Sequence, residues 1–142
     1  MDNNKMHVKS LSRECVFKTA FASRVSETDV DINMEAVLQE GGYALADKAF
    51  MDSLLDMYKL HLDEVILQIK PLISLQASRS LNDVEYCILL VGATELLYYS
   101  DTPPKVVINE YVNMSKKFGT DQGYKLVNAV LDQLYRSSQG MM

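Results

Sequence analysis

The side chains in this 142-residue chain that could do chemistry are two histidines, two cysteines and 19 acids, and their spacing assembles no catalytic centre. His7 and His61 stand far apart, and Cys15 and Cys87 form neither a Cys-x-x-Cys pair nor a ligand spacing with a histidine, so no zinc-type site is expected. Asp52 and Asp56 share a helix face at i,i+4. No histidine or third carboxylate on a neighbouring helix completes a carboxylate metal site around them, and a solvated face accounts for the pair. The six glycines are scattered, with Gly41-Gly42 and Gly119 at helix ends rather than in a phosphate-cradling loop. No serine or threonine sits in a nucleophile elbow. The chemistry points to binding rather than catalysis, with no cofactor.

Charge is the better guide to partners. The net charge of -5 hides an asymmetry: residues 1–24 carry Lys5, Lys9, Arg13, Lys18 and Arg24 against Asp2 and Glu14, whereas residues 25–64 carry ten acids against Lys48 and Lys59. A nucleic-acid-binding domain usually shows a basic surplus over its whole surface. Here the surplus is local, so an RNA footprint is either small or shared with a basic partner. Lys5, Lys9 and Arg13 are four residues apart, as a phosphate clamp on one helix arc requires, although spacing alone favours a basic tail ending in surface charges. Lys116, Lys117 and Lys125 flank a Phe118-Gly119 turn, and the first two also complement the negative end of a helix dipole.

The elements that position these residues read as helices throughout. A first helix is expected from about Ser10 or Leu11 to Ser23, and a short one from Asn33 to Glu40, ended by Gly41-Gly42. A long helix follows from about Ala44 to Ile69, with Phe50, Leu54, Met57, Leu60 or His61, and Val65 at intervals of three and four, and Pro71 ending or kinking it. Asn82 can cap the next helix with Glu85 as its capping-box acid. That helix, to about Tyr99, is apolar on nearly every side and so belongs at the centre. Thr102 as N-cap, Pro103 at the first helical position and Gly119 as a left-handed cap bound the following helix, whose buried stripe is Val107, Tyr111, Met114 and Phe118. A last helix restarts at Thr120 or Asp121 and turns Tyr124, Val127, Val130 or Leu131, and Leu134 inward. The run Tyr86 to Tyr99 contains Glu95 and falls short of the roughly 20 residues a membrane span needs. With two unpaired cysteines and no secretory signal pattern, a soluble cytoplasmic protein is expected.

From Leu81 to Asp132 the chain reads LNDVEYCILLVGATEL, SDTPPKVVINEYVNMSKKFG and KLVNAVLD. With Ser12-Arg13-Glu14-Cys15, Ala20-Phe21, Phe50, Leu54 and Lys70-Pro71 at matching places, it resembles the NusB family of bacterial transcription antitermination factors over essentially its whole length. The resemblance implies an all-α bundle of about six to seven helices in two subdomains, 1–80 and 81–142. It also implies pairing with the small-subunit ribosomal protein NusE, binding of boxA RNA, notably in ribosomal RNA leaders, and assembly with other Nus factors on RNA polymerase to suppress termination.

Carried over residue by residue, the resemblance assigns RNA contacts to Lys5, Lys9 and Arg13, with Lys125 added from the second basic set, and protein-partner contacts to Phe21 and Glu85. Departures are equally specific. The family's arginine-rich arm is reduced, and lysine keeps the charge without the planar fork. Leu72 and Leu126 stand where family members offer aromatic rings for base stacking, with Tyr124 a candidate substitute. Leu90 and Thr94 replace an arginine and a tyrosine in the central helix. Reduced RNA affinity with retained NusE binding is the reading that follows. Two alternatives come from other classes: the same fold at the head of ribosomal RNA cytosine methyltransferases, for which this chain has no room for a cofactor domain, and a self-associating scaffold whose homodimer covers the Arg13 and Phe21 surface.

Overall fold

The computed structural model describes residues 2–76 and 81–140, with side chains from His7 onward. Among the described residues there are six α-helices, one short 3-10 turn and no strand: α1 Asp2–Ser26, α2 Val30–Leu38, the 3-10 turn Tyr43–Leu45, α3 Lys48–Ser74, α4 Asp83–Tyr98, α5 Pro104–Phe118 and α6 Gly123–Ser138. The all-α class expected from the pattern is the one observed. The chain forms two compact units, Met1–Asp56 and Met57–Met142. The dividing line therefore runs inside α3, whereas the resemblance implies one at 80/81.

In the first unit α1 starts at Asp2, well before the expected Ser10, because no glycine or proline interrupts residues 2–9 and an acid suits the first turn. Its buried face, Cys15, Val16, Phe17 and Ala20, packs with Met34 and Val37 of α2. Thr19 donates to the Cys15 carbonyl at 2.8 Å and lies 3.4 Å from the Met34 sulfur, itself 3.8 Å from Cys15 Sγ. The return between the helices is fixed by polar groups: Glu27 takes a positive φ of 57°, the Asp29 carboxylate caps α2 through the Asp31 N–H, and Asn33 donates to Ser23 and Thr28. That cap at Asp29 starts α2 at Val30, ahead of the expected Asn33. Gly42, with φ of 96°, supplies the left-handed residue that admits the 3-10 turn. Tyr43 then lies against α1, its hydroxyl donating to Glu14 at 3.0 Å while Lys18 sits 4.8 Å above its ring.

The second unit is built on α4, where every residue from Cys87 to Glu95 is buried. Asn82 caps it as expected, accepting the Glu85 N–H at 2.8 Å. Gly92 marks the tightest approach: a Cβ there would meet Tyr111 Cγ of α5 at 2.9 Å and Leu131 Cδ1 of α6 at 3.3 Å. Beside it the Tyr111 hydroxyl donates to buried Glu95 at 2.7 Å. Three expectations shift. α3 runs past Pro71 to Ser74, because a proline in the last turn forfeits only its own bond and Leu75 N–H still reaches the Pro71 carbonyl. Pro103 is extended, so Pro104 takes the first helical position. Gly119 is not left-handed; its φ of -92° and ψ of -166° are extended.

Burial, reinforced by the Glu40 carboxylate, pushes the Cys15 thiol up to about 11 from 9.0. Burial also raises Tyr43, and its hydroxyl raises Lys18. Each group holds its proton to higher pH in the folded chain than in the unfolded one. The stability they contribute is complete below their ordinary values and is lost as pH rises through the raised ones. The urea midpoint should stay level up to pH 9.0 and fall between there and about 11. Cys15→Ala should flatten the start of that fall.

Candidate nucleic-acid interface

Two places in the fold gather the cations singled out by the sequence. In the first unit the Ser12 hydroxyl accepts the Asp47 N–H and donates to the Val8 carbonyl, both at 2.8 Å, while the Asp47 carboxylate caps α3 by accepting the Phe50 N–H at 3.1 Å. This tie seats the Phe50 ring beside α1, where Lys9 Nζ lies 5.3 Å and the Arg13 guanidinium 5.0 Å from its centroid. The structure thus brings Lys9 and Arg13 together. Arg13, however, is only 2% exposed, so the expected phosphate contact is an interior cation stacked on an aromatic face. Lys9 is half-buried, and the side chain of Lys5 lies outside the described residues. Phe21 is half-buried too, its ring tilted against Phe17 at 6.3 Å.

The second place is the turn between α5 and α6, and it is organised from inside by Glu85. Expected both as a capping-box acid and as a partner contact, Glu85 is neither: it is 1% exposed. Its carboxylate accepts two hydrogen bonds from one residue, the Thr120 N–H at 2.8 Å and the Thr120 hydroxyl at 2.6 Å. A buried carboxylate is tolerated only where such donors replace its lost water, and charge-assisted bonds of this length are the strong kind. Two glycines make room for it. A Cβ on Gly119 would lie 2.8 Å from Glu85 Oε2, and one on Gly123 would collide with the carboxylate outright. Thr120 and Gly123 were not among the residues that motif and spacing select. Their signal was the pair of glycines four residues apart around a threonine, a pattern that demands close approach as well as a turn.

On the outside of this turn stand Lys116, Lys117 and Lys125. Lys116, Lys117 and Lys125 are all exposed. Lys116 Nζ lies 4.8 Å above the half-buried Tyr124 ring and Lys117 Nζ 5.2 Å above Phe118. Cations beside aromatic faces are what a single nucleic-acid strand uses, phosphates on the former and bases on the latter. Leu126, at the position of a family aromatic, is buried, and Leu72, at the other, is half-buried. Among the described residues no group of three or more His, Cys, Asp or Glu could hold a metal ion, and no helix is long and apolar enough to cross a membrane.

The fold and these surfaces define an all-α binding protein with a basic-aromatic turn. The sequence profile described as the NusB family matches residues 10–136, and the chain belongs to that family. It is 34% identical over 126 residues to the transcription antitermination protein NusB of Thiobacillus denitrificans, covering 89% of this chain and 86% of the relative. The NusB of Dechloromonas aromatica is 35% identical over 124 residues, covering 87% and 75%. Among solved structures, the NusB of T. maritima superposes with a TM-score of 0.77 at 24% identity over 90% of both chains. A crystal structure of the antitermination factors NusB and NusE in complex with double-stranded RNA gives 0.78 at 21% identity, covering 93% of this chain and 98% of the other. Both share the fold described above.

Gly123→Ala should cost about 1–3 kcal/mol, the usual range for overpacking. Glu85→Ala, which removes both bonds to Thr120, should cost about 1–3 kcal/mol as well. The two losses should not add, because the second change vacates the space the first one needs. Urea denaturation of the two single variants and the double variant measures that coupling.

Proposed function

We propose that this chain is a transcription antitermination factor that pairs with the ribosomal protein NusE and binds boxA RNA, with the protein partner carrying much of the RNA affinity. The observation that carries this reading is the family match over residues 10–136 together with relatives of that function aligned along most of the chain. A related structure holds NusB, NusE and RNA in one complex. The role is one of binding, exercised in the cytoplasm as part of an assembly with other Nus factors and RNA polymerase. An acidic chain with a net charge of -5 suits a basic protein partner. Phe21 is the partner contact we retain, because part of its ring remains accessible.

For the RNA we assign phosphate contacts to Lys5 and Lys9 on α1 and to Lys116, Lys117 and Lys125 at the α5–α6 turn, with Tyr124 as the stacking ring. Burial removes Arg13 from this set and makes it the residue that holds Phe50. With Tyr124 as the assigned ring and the arm's arginine turned inward, unaided RNA affinity should be low. Titrating boxA RNA into the chain with and without NusE tests this: weak binding alone and tight, boxA-selective binding with NusE is the expected pair of results. Tight, selective binding by the isolated chain would overturn the division of labour, and no selective binding in either case would overturn the function.

In the complex, replacing Lys116, Lys117 and Lys125 by alanine should lower the slope of log affinity against log salt by about 0.7 for each single-strand phosphate left without its cation. Tyr124→Ala should cost about 1–3 kcal/mol if a base stacks there, with the salt slope unchanged.

A further inference from the structure

We infer that the groove between the start of α5 and the end of α6 is a docking site for an acidic segment of a protein partner, anchored there by one large apolar side chain. Pro104, Lys105 and Ile108 line it from α5, and Asp132, Tyr135 and Arg136 from α6, around a space of about 250 Å³. Ile108 is buried, Pro104 and Tyr135 are half-buried, and Lys105 and Arg136 are exposed. The apolar surface therefore lies deep, with the cations at the rim. A small-molecule site usually encloses about 300–1,000 Å³ and most of its ligand. An open groove of this size instead accepts one side chain and the stretch of backbone that carries it.

Charge selects the occupant. The lining holds two bases and one acid, and that acid is already engaged: Asp132 accepts a bond from Arg136 Nε at 3.0 Å. The contact holds the guanidinium in place and leaves the N–H groups of its two terminal nitrogens, the fork that grips a carboxylate by two bonds. Lys105 stands in the first turn of α5, which contains no acid. A cation there opposes the helix dipole, so its charge does not serve the helix. Lysine and dipole both favour an anion placed at the groove. In a chain of net charge -5 this is a local positive patch, and a basic partner such as NusE, which suits the acidic remainder, is not drawn to it. From Lys105 to Lys116 the rise along α5 is about 17 Å. The groove thus lies at the opposite end of the helix from the turn assigned to RNA, and both can be occupied at once.

Titrating the full chain with a fluorescein-labelled peptide of sequence Glu-Asp-Glu-Phe-Glu-Asp-Glu tests the proposal, read by fluorescence anisotropy and by amide chemical shifts. Shifts centred on Lys105, Ile108 and Tyr135 are expected, with Lys116 and Lys125 unmoved. Alanine in place of the peptide's phenylalanine should weaken binding about tenfold. Lys105→Ala with Arg136→Ala should do the same and lower the salt dependence; both positions are exposed, so the circular dichroism melting curve should stay in place. Tyr135→Ala should weaken binding with the salt dependence kept. The double variant should still bind boxA RNA together with NusE as the parent chain does, so failure of this proposal and failure of the proposed function are read separately. No binding, shifts centred on the α5–α6 turn, an affinity indifferent to the double variant, or equal binding by a peptide with lysines in place of its acids would each overturn the proposal. So would an oligouridylate that occupies the groove while the peptide does not.

Discussion

A carboxylate taken out of water must be met by donors, and the way Glu85 is met governs the second unit. Thr120 supplies two of them, one from the backbone and one from the hydroxyl. The start of α4 and the α5–α6 turn therefore cannot move independently, and the glycines at 119 and 123 follow from the width of the carboxylate rather than from any need for unusual backbone angles. Asn82 contributes at the other side, holding the Glu85 N–H while the side chain turns away. The surface lysines and Tyr124 inherit their positions from this interior contact.

The first unit shows how a count of charges can mislead. Its amino-terminal segment carries five basic residues, yet three of them are engaged inside or along the fold. Arg13 and Lys9 stand over Phe50, and Lys18 lies over Tyr43 with its ammonium 3.5 Å from Glu40. The neutral carboxyl-terminal part, by contrast, keeps Lys116 and Lys125 exposed on either side of its turn. Electrostatic surface is set by what each cation already touches.

Helix identity was legible from residue patterns because capping and periodicity are local. Asn82, the largely apolar α4 and the stripe through Val107, Tyr111 and Met114 needed no tertiary information. The misreadings occur where a distant residue decides. Gly119 suits a left-handed cap by type, and only the approach of Glu85 explains its extended backbone. Glu85 fits a capping box by spacing, but Thr120 competes for its carboxylate across 35 residues and wins. Arg13 matches a family position on the arm, while its burial depends on Phe50, placed by a Ser12 to Asp47 bond of the same sequence separation. Local rules could not weigh these contacts, since the competing partner lies on another element.

The sulfur of Met34 sits among Cys15 and Thr19 in the packing between α1 and α2. An oxidant that converted it to the sulfoxide would add a polar oxygen where the neighbours are a thiol and a hydroxyl already committed to the Cys15 carbonyl. The shielding of Met34, which is 7% exposed, is therefore also the first unit's protection against chemical ageing. Any opening of α2 long enough to admit peroxide would convert a passing fluctuation into a lasting loss of packing.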